Sequence, residues 1–263
     1  MKLWKHIEHL RNTAPLVHNI TNFVVMNNSA NALLAIGASP IMAHAKEEVP
    51  EMVKISNALV INIGTLDPTF IEGMLLAAKT AHELGKPWIL DPVGAGVSHL
   101  RNSTIQKLLE YHPTVIRGNA SEVVAVSSAT GIKSKGVDSS MNSSDAVESG
   151  KELHKNLGTI VCISGATDYL ISKGQIFEIQ NGDPMMTKVT GLGCSLSAVL
   201  GAVLGASGAD PEAIASVVAY FGISGELAKG LGPGSLQVQL LDHLYSIDQS
   251  TFENRLKICS YTW

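Results

Sequence analysis

Along most of this chain, apolar runs of strand length alternate with longer helical stretches, and the runs stop at polar residues. Residues 58–63 read as a buried strand. Asp67-Pro68 then offers an N-cap followed by proline at the first helical position. A helix continues over residues 70–84, and Gly85 stops it. Residues 87–90 form the next strand and end at Asp91, residues 114–116 end at Arg117, and residues 159–163 end at Ser164. This alternation predicts a parallel sheet covered by helices on both faces. Residues 169–172 and 175–179 flank Lys173-Gly174, which predicts a hairpin on the sheet edge. From Cys194 onward the pattern is mostly helical. Residues 127–144, rich in Ser, Gly and Lys, are the expected flexible loop.

The chain has 263 residues, 45% apolar and 16% charged, which supplies a sizeable core and argues against disorder. No repeat or low-complexity linker divides it, so one domain over residues 1–263 is expected. A net charge of -4 gives no electrostatic reason to bind nucleic acid or an anionic membrane. The three cysteines, Cys162, Cys194 and Cys259, are widely spaced and form neither a metal-ligand pair nor a disulfide framework. Residues 1–12 are charged and amphipathic, with Leu3, Ile7 and Leu10 at helical spacing, and lack the apolar core of a signal peptide. No apolar run reaches the roughly eighteen residues of a membrane span. The expected compartment is a reducing cytoplasm.

The stretch Val189-Thr190-Gly191-Leu192-Gly193-Cys194-Ser195-Leu196 precedes a small and apolar run, residues 196–205, that reads as a buried helix. A glycine turn opening a helix leaves free backbone N–H groups at its positive end, which is a ready anion site. By itself the same stretch is equally a tight turn before a core helix, with a chance cysteine.

In open α/β sheets, ligands gather at the carboxyl ends of strands. Asp91, in Asp91-Pro92-Val93-Gly94-Ala95-Gly96, stands where a metal or polar ligand would be, or caps a loop. In Arg117-Gly118-Asn119-Ala120-Ser121-Glu122, the spacing of Asn119 and Glu122 matches a capping box. The alternative puts Glu122 near magnesium and Arg117 on a phosphate; Mg²⁺ typically takes one or two carboxylates plus waters and phosphate oxygens. Ser164-Gly165-Ala166-Thr167-Asp168 makes a turn or contacts a nucleotide phosphate.

A second polar cluster lies in the first third, in Val17-His18-Asn19-Ile20-Thr21-Asn22-Phe23, after a short apolar segment and before a helical pattern. These residues serve as caps and turn formers or line a site. Residues 37–42 give a short strand ending at Met42, a residue type more often core than ligand. Gly64-Thr65 adds one more polar rim position.

Five motifs, in order along nearly the whole chain, resemble those of the hydroxyethylthiazole kinases of thiamin salvage, within the ribokinase-like superfamily. They are His18-Asn19-Ile20-Thr21-Asn22, Ala38-Ser39-Pro40-Ile41-Met42, Asp91-Pro92-Val93-Gly94-Ala95, Arg117-Gly118-Asn119-Ala120-Ser121-Glu122 and Thr190-Gly191-Leu192-Gly193-Cys194. The resemblance implies a three-layer αβα fold with a mostly parallel central sheet. It implies ATP-dependent phosphorylation of the primary hydroxyl of 4-methyl-5-(2-hydroxyethyl)thiazole, with Mg²⁺. It also implies a homotrimer with sites near subunit interfaces. Carried over residue by residue, it puts Met42 and Gly191 at the thiazole, with Asn22 and Thr65 near it. Arg117, Ser164 or Thr167, and Gly193 fall to ATP, and Asp91 and Glu122 to the magnesium. Cys194 stands where the wider superfamily has the aspartate taken as base. Leu192 departs from the small or hydroxyl residue expected in many relatives; its backbone serves regardless.

Phosphoryl transfer has a loose transition state, so positioning and charge neutralisation dominate. The N–H groups of residues 191–194 are expected to hold the phosphoryl oxygens, with Arg117 and magnesium neutralising the remaining charge. A thiol of pKa about 8.5 is lowered at a helix N-terminus, so Cys194 either takes the proton late or, neutral, positions the hydroxyl. The rival readings are a pyridoxal or hydroxymethylpyrimidine kinase, a dehydratase repairing hydrated nicotinamide nucleotides, and a non-catalytic thiazole or nucleotide sensor. A dinucleotide dehydrogenase is disfavoured, because no glycine fingerprint follows the first strand and no G-x-x-x-x-G-K-[ST] loop exists.

Overall fold

The computed structural model describes residues 2–130, 143–230 and 232–263. The chain opens with α1 (Trp4–Thr13), β1 (Leu16–Ile20), α2 (Met26–Ile36), β2 (Ser39–Ile41) and α3 (Val49–Ile55). It continues through β3 (Ala58–Asn62), α4 (Pro68–Glu83), β4 (Trp88–Asp91), α5 (His99–Leu109), β5 (Val115–Asn119) and α6 (Ala120–Ala129). After α7 (Val147–Leu157) come β6 (Ile160–Ser164), β7 (Asp168–Ser172) and β8 (Gln175–Ile179). The last elements are α8 (Leu192–Ser207), α9 (Pro211–Leu227), α10 (Pro233–Ser246), α11 (Gln249–Arg255) and β9 (Ile258–Thr262).

The strands make one nine-stranded sheet in the order β2-β1-β3-β4-β5-β6-β7-β8-β9. Pairings from β2 across to β6 are parallel, and those from β6 to β9 are antiparallel. Successive side chains of a strand point to opposite faces. Val60, Ile89 and Val115 accordingly join one apolar cluster, with α1, α2, α8 and α9. Their neighbours Ile61, Leu90 and Ile116 join the other, with α4 to α7. Burial on both faces is why the strands read as continuous apolar runs instead of alternating ones. The expected αβα sandwich with a mostly parallel sheet is therefore what forms.

Local signals act where expected. The Asp67 carboxylate caps α4 by accepting from the N–H groups of Thr69 and Phe70, and Pro68 opens that helix. Helix α8 is apolar all round because it is buried. Gly201 lets it lie directly on the sheet, since a Cβ there would overlap Val60 and meet Val17.

Four expectations change. The hairpin of β7 and β8 is not the edge: β9 pairs with β8 and takes that position. It was hidden because four of its five residues are exposed and carry no apolar run. Strand β5 runs past Arg117 to Asn119, so the arginine that seemed to end it lies within the sheet. The strand expected to end at Met42 ends one residue earlier, at Ile41. Of the expected loop at 127–144, residues 127–129 belong to α6, Ser143 opens a 3-10 turn, and 131–142 lie outside the described residues. Among the described residues, no helix is long and apolar enough to cross a membrane.

Candidate active site

The C-terminal ends of β1, β3, β4, β5 and β6 share one rim, and the N-terminus of α8 packs against it. A line of hydrogen bonds runs along this rim. The Asn22 amide donates to Asn62 Oδ1 at 2.8 Å and to Cys194 Sγ at 3.5 Å. The Asn62 amide donates to Asp91 Oδ2 at 2.7 Å, and Ser197, one turn beyond Cys194, donates to the same oxygen at 2.7 Å. Asp91 is fully buried, and its Oδ1 has no partner. Burial pushes its pKa up to about 6, reinforced by Glu122 and opposed by Arg117, Ser197 and Asn62.

The glycine turn is built as the sequence suggested. Gly191 is the N-cap of α8 with φ 79°, a left-handed conformation that favours glycine. A Cβ at Gly191 would also overlap Val25, just before α2. The first-turn N–H groups of an α-helix have no intrahelical partner. At Gly193 a Cβ would stand 2.7 Å from Arg117 Nη1, so the guanidinium lies against the turn. Arg117 donates to Ser164 Oγ at 2.8 Å, and its buried Nε has no partner. Burial alone would favour neutral Arg117, but Asp91, Cys162, Glu122 and Asp168 outweigh it and hold the guanidinium charged.

Cys194 departs from expectation. Burial first, then the Asp91 carboxylate, push its thiol up to about 11, although Asn62, Arg117 and Asn22 pull the other way. The sulfur is half-buried beside an acidic group, so the shift runs opposite to the lowering expected at a helix N-terminus. The thiol is neutral at physiological pH.

Glu122 takes its structural role. Its Oε2 accepts the Asn119 N–H at 2.9 Å while Asn119 Oδ1 accepts the Glu122 N–H at 3.0 Å, a completed capping box. Its Oε1 accepts the Gly94 N–H at 2.9 Å, tying the loop after β4 to α6. Among the described residues, no three His, Cys, Asp or Glu side chains cluster to hold a metal ion by themselves.

Beside the turn opens a cavity of about 600 Å³. Arg117, Ser164, Gly191 and Gly193 stand on its polar side, and Val189, Leu192, Leu196 and Phe221 supply apolar wall. Thr167 is not on that wall, and its carbonyl accepts from Ser143 Oγ at 2.6 Å. Asn22, Met42 and Thr65 do not line it either. Thr65 Oγ1 accepts the Phe23 N–H at 3.1 Å, joining the loops after β3 and β1, and Met42 is half-buried just after β2. The Gly191-to-Cys194 turn thus separates the cavity from the Asn22–Cys194 contact.

Several residues of this rim escaped the sequence reading. Asn62 and Ser197 stood inside apolar runs; a lone amide and a lone hydroxyl among buried residues were the available signals. Asp168, in the stretch the sequence offered as a turn or phosphate contact, faces the cavity and accepts the Gly165 N–H at 2.9 Å, with burial pushing its pKa to about 6. Arg101 gave no signal: from α5 it donates to the carbonyls of Ile63 and Val93, each at 2.6 Å, and of Gly64 at 2.8 Å.

A mostly parallel sheet between two helical layers, with a glycine turn opening a helix at its strand ends, has the ribokinase-like fold. The fold is shared with a pyridoxal kinase from Staphylococcus aureus (TM-score 0.66, 13% identity, 94% of this chain and 98% of the other). Within that class, residues 7–250 match the Hydroxyethylthiazole kinase family. A hydroxyethylthiazole kinase from Leptospira biflexa is 54% identical over 253 residues, 95% of this chain and 94% of the relative. One from Syntrophus aciditrophicus is 50% identical over 258 residues, 97% and 96% of the two chains. The structure of a hydroxyethylthiazole kinase protein from Pyrococcus horikoshii superposes with TM-score 0.91 at 38% identity, covering 98% of each chain. The chain belongs to the hydroxyethylthiazole kinase family, and it is a kinase.

Proposed function

We propose that this chain, as one catalytic domain, transfers the γ-phosphoryl group of ATP to the primary hydroxyl of 4-methyl-5-(2-hydroxyethyl)thiazole, in thiamin salvage. The observation that carries this reading is the position of the Gly191-to-Cys194 turn. It borders a cavity large enough for a nucleotide on one side and the Asn22–Cys194 contact on the other. ATP occupies the cavity, with Arg117, Ser164 and the Gly193 backbone at its phosphates. The thiazole sits toward Met42, Gly191, Asn22 and Thr65; Thr167 is left at most a backbone role.

The first-turn N–H groups of α8 and the Arg117 guanidinium hold the transferring phosphoryl oxygens where charge accumulates. Cys194, as a neutral thiol, holds the acceptor hydroxyl in line. As the bond from the acceptor oxygen to phosphorus forms and the bond to the leaving ADP oxygen breaks, the hydroxyl proton passes late to an oxygen of the transferred phosphoryl group. Asn22 fixes the thiol, and Asn62 fixes Asn22.

Asp91 fits a role beside Mg²⁺, because a buried carboxylate oxygen without a partner is a hard donor awaiting a cation. Both Glu122 oxygens already accept backbone N–H groups, so Glu122 would contribute negative charge near the ion while holding the loop after β4. Mg²⁺, when bound with the nucleotide, neutralises charge on its phosphates.

Phe23 and Val24, directly after Asn22, are 61% and 59% exposed, which supports a subunit interface beside the thiazole site in a homotrimer. A cytoplasmic location accords with the free thiols. The test is ADP release with hydroxyethylthiazole, with and without magnesium, run beside pyridoxal and hydroxymethylpyrimidine. Turnover of hydroxyethylthiazole alone is expected. ADP release with a different vitamin, or none at all, refutes the assignment.

A further inference from the structure

One wall of the cavity is formed by residues between β8 and the glycine turn, among them Asn181, Gly182, Asp183 and Met186. This connection forms no strand or α-helix; its Pro184–Lys188 segment is a 3-10 turn that contacts α10. It is also seated on α9 through two glycines. A Cβ at Gly222 would stand 2.6 Å from the Asn181 carbonyl oxygen, and one at Gly225 would overlap the Met186 thioether. The next residue, Glu226, is half-buried and grips the same connection. Its Oε1 accepts from the Asn181 amide and from the Gly182 N–H, both at 3.1 Å.

Glu226 is anchored from the far side by the lead-in to β9. Lys257 Nζ donates to Oε1 at 2.9 Å, and Arg255 lies 3.9 Å from Oε2. The Asn181 side chain is saturated by the same segment: its amide donates to the Arg255 carbonyl at 2.8 Å, and its Oδ1 accepts the Lys257 N–H at 2.9 Å. Glu226 itself does not line the cavity. It ties the 181–187 connection and the 255–257 segment to α9, and both the connection and the α9 residues Phe221 and Gly222 line the cavity.

We propose that Glu226 is a positioning residue for nucleotide binding, fixing the 181–187 wall against the Gly222/Gly225 notch of α9. This rests on the reading of the cavity as the nucleotide site. Its consequence is selective. Removing Glu226 loosens the nucleotide wall, while the acceptor site at Asn22 and Cys194 and the α8 turn stay as they are.

The experiment is steady-state kinetics on the full chain with each substrate varied in turn, together with calorimetry using a non-hydrolysable ATP analogue. In Glu226→Ala the KM for ATP and the analogue Kd rise about tenfold or more, the scale of hydrogen bonds to a charged group. The kcat and the acceptor KM stay within about twofold. Glu226→Gln, which keeps an acceptor oxygen for Asn181 and Gly182, recovers most of the loss. Unchanged ATP KM in a folded Glu226→Ala, or equal loss in every parameter, overturns the proposal. If Glu226→Ala does not fold, Gly225→Ala carries the same test, because its methyl displaces Met186 and the wall with it. Ser164→Trp separates the two levels. If it leaves analogue binding intact, the cavity is not the nucleotide site and both readings fall. If it blocks binding while Glu226→Ala binds normally, only the positioning role falls.

Discussion

The Asn22 side-chain amide bridges the sulfur of Cys194, at 3.5 Å, and the amide oxygen of Asn62, at 2.8 Å. The Asn22 amide holds the thiol, Asn62 holds Asn22, and Asp91 in turn accepts from the Asn62 amide. The family resemblance, which puts Cys194 where the superfamily has an aspartate, left it as base or as positioning group. Burial and Asp91 push the thiol up to about 11, which supports the proposed positioning role.

Cys194→Ala is therefore expected to lower kcat by less than about 10²-fold, the lower limit for loss of a general base. Cys194→Asp should remain active. A wild-type kcat profile with an alkaline limb at pH 8–9 that vanishes in Cys194→Ala would instead assign the proton to the thiol. Site-resolved alkylation gives an independent reading: the Cys194 rate should climb about tenfold per pH unit up to near pH 11.

Asp91 predicts opposite pH trends for activity and stability. Its native pKa of about 6 lies above the ordinary carboxylate value of 3.8, so the native state binds more protons than the unfolded chain between those values. As pH rises through that window, the cost of burying the charge appears and stability falls, by about 3 kcal/mol for a two-unit shift. Activity rises over the same window as the carboxylate ionises. Urea denaturation against pH, compared with Asp91→Asn, checks the first trend, and kcat/KM profiles check the second. Identical pH slopes in the two proteins would remove Asp91 as the cause.

Gly191→Ala confronts two separate obstacles, a positive φ and the Val25 side chain. The backbone strain alone costs about 1–3 kcal/mol. The expected result is a lower denaturation midpoint and loss of most activity. Adding Val25→Ala should recover part of the stability, because it opens space without relieving φ. Full recovery in the double variant would mean that φ contributes nothing.

Arg101 holds three carbonyls, of Ile63, Gly64 and Val93, and so ties together the loops that follow β3 and β4. Arg101→Met leaves these acceptors without their donor, at about 1–3 kcal/mol for each buried group left unpaired. Expected are a loss of stability on that scale, by urea denaturation, and a lower kcat/KM. A variant with wild-type stability and kinetics would show that the loops hold without it.

What the sequence determined by itself was local and periodic. The apolar runs gave strands buried on both faces, Asp67-Pro68 gave the start of α4, Asn119 and Glu122 gave a capping box, and Gly191 gave a helix-opening turn. Each signal lies within a few residues, where backbone sterics and hydrogen-bond reach act. The family motifs then located the rim. Only the tertiary structure decided what depends on neighbours far along the chain. Asn62 and Ser197 read as core until β3 and α8 were brought together on Asp91. Strand β9 had no apolar signal, because its place depends on pairing with β8. The Cys194 thiol shifts opposite to the expectation for the same reason: burial in the folded chain and a carboxylate more than a hundred positions away push it up.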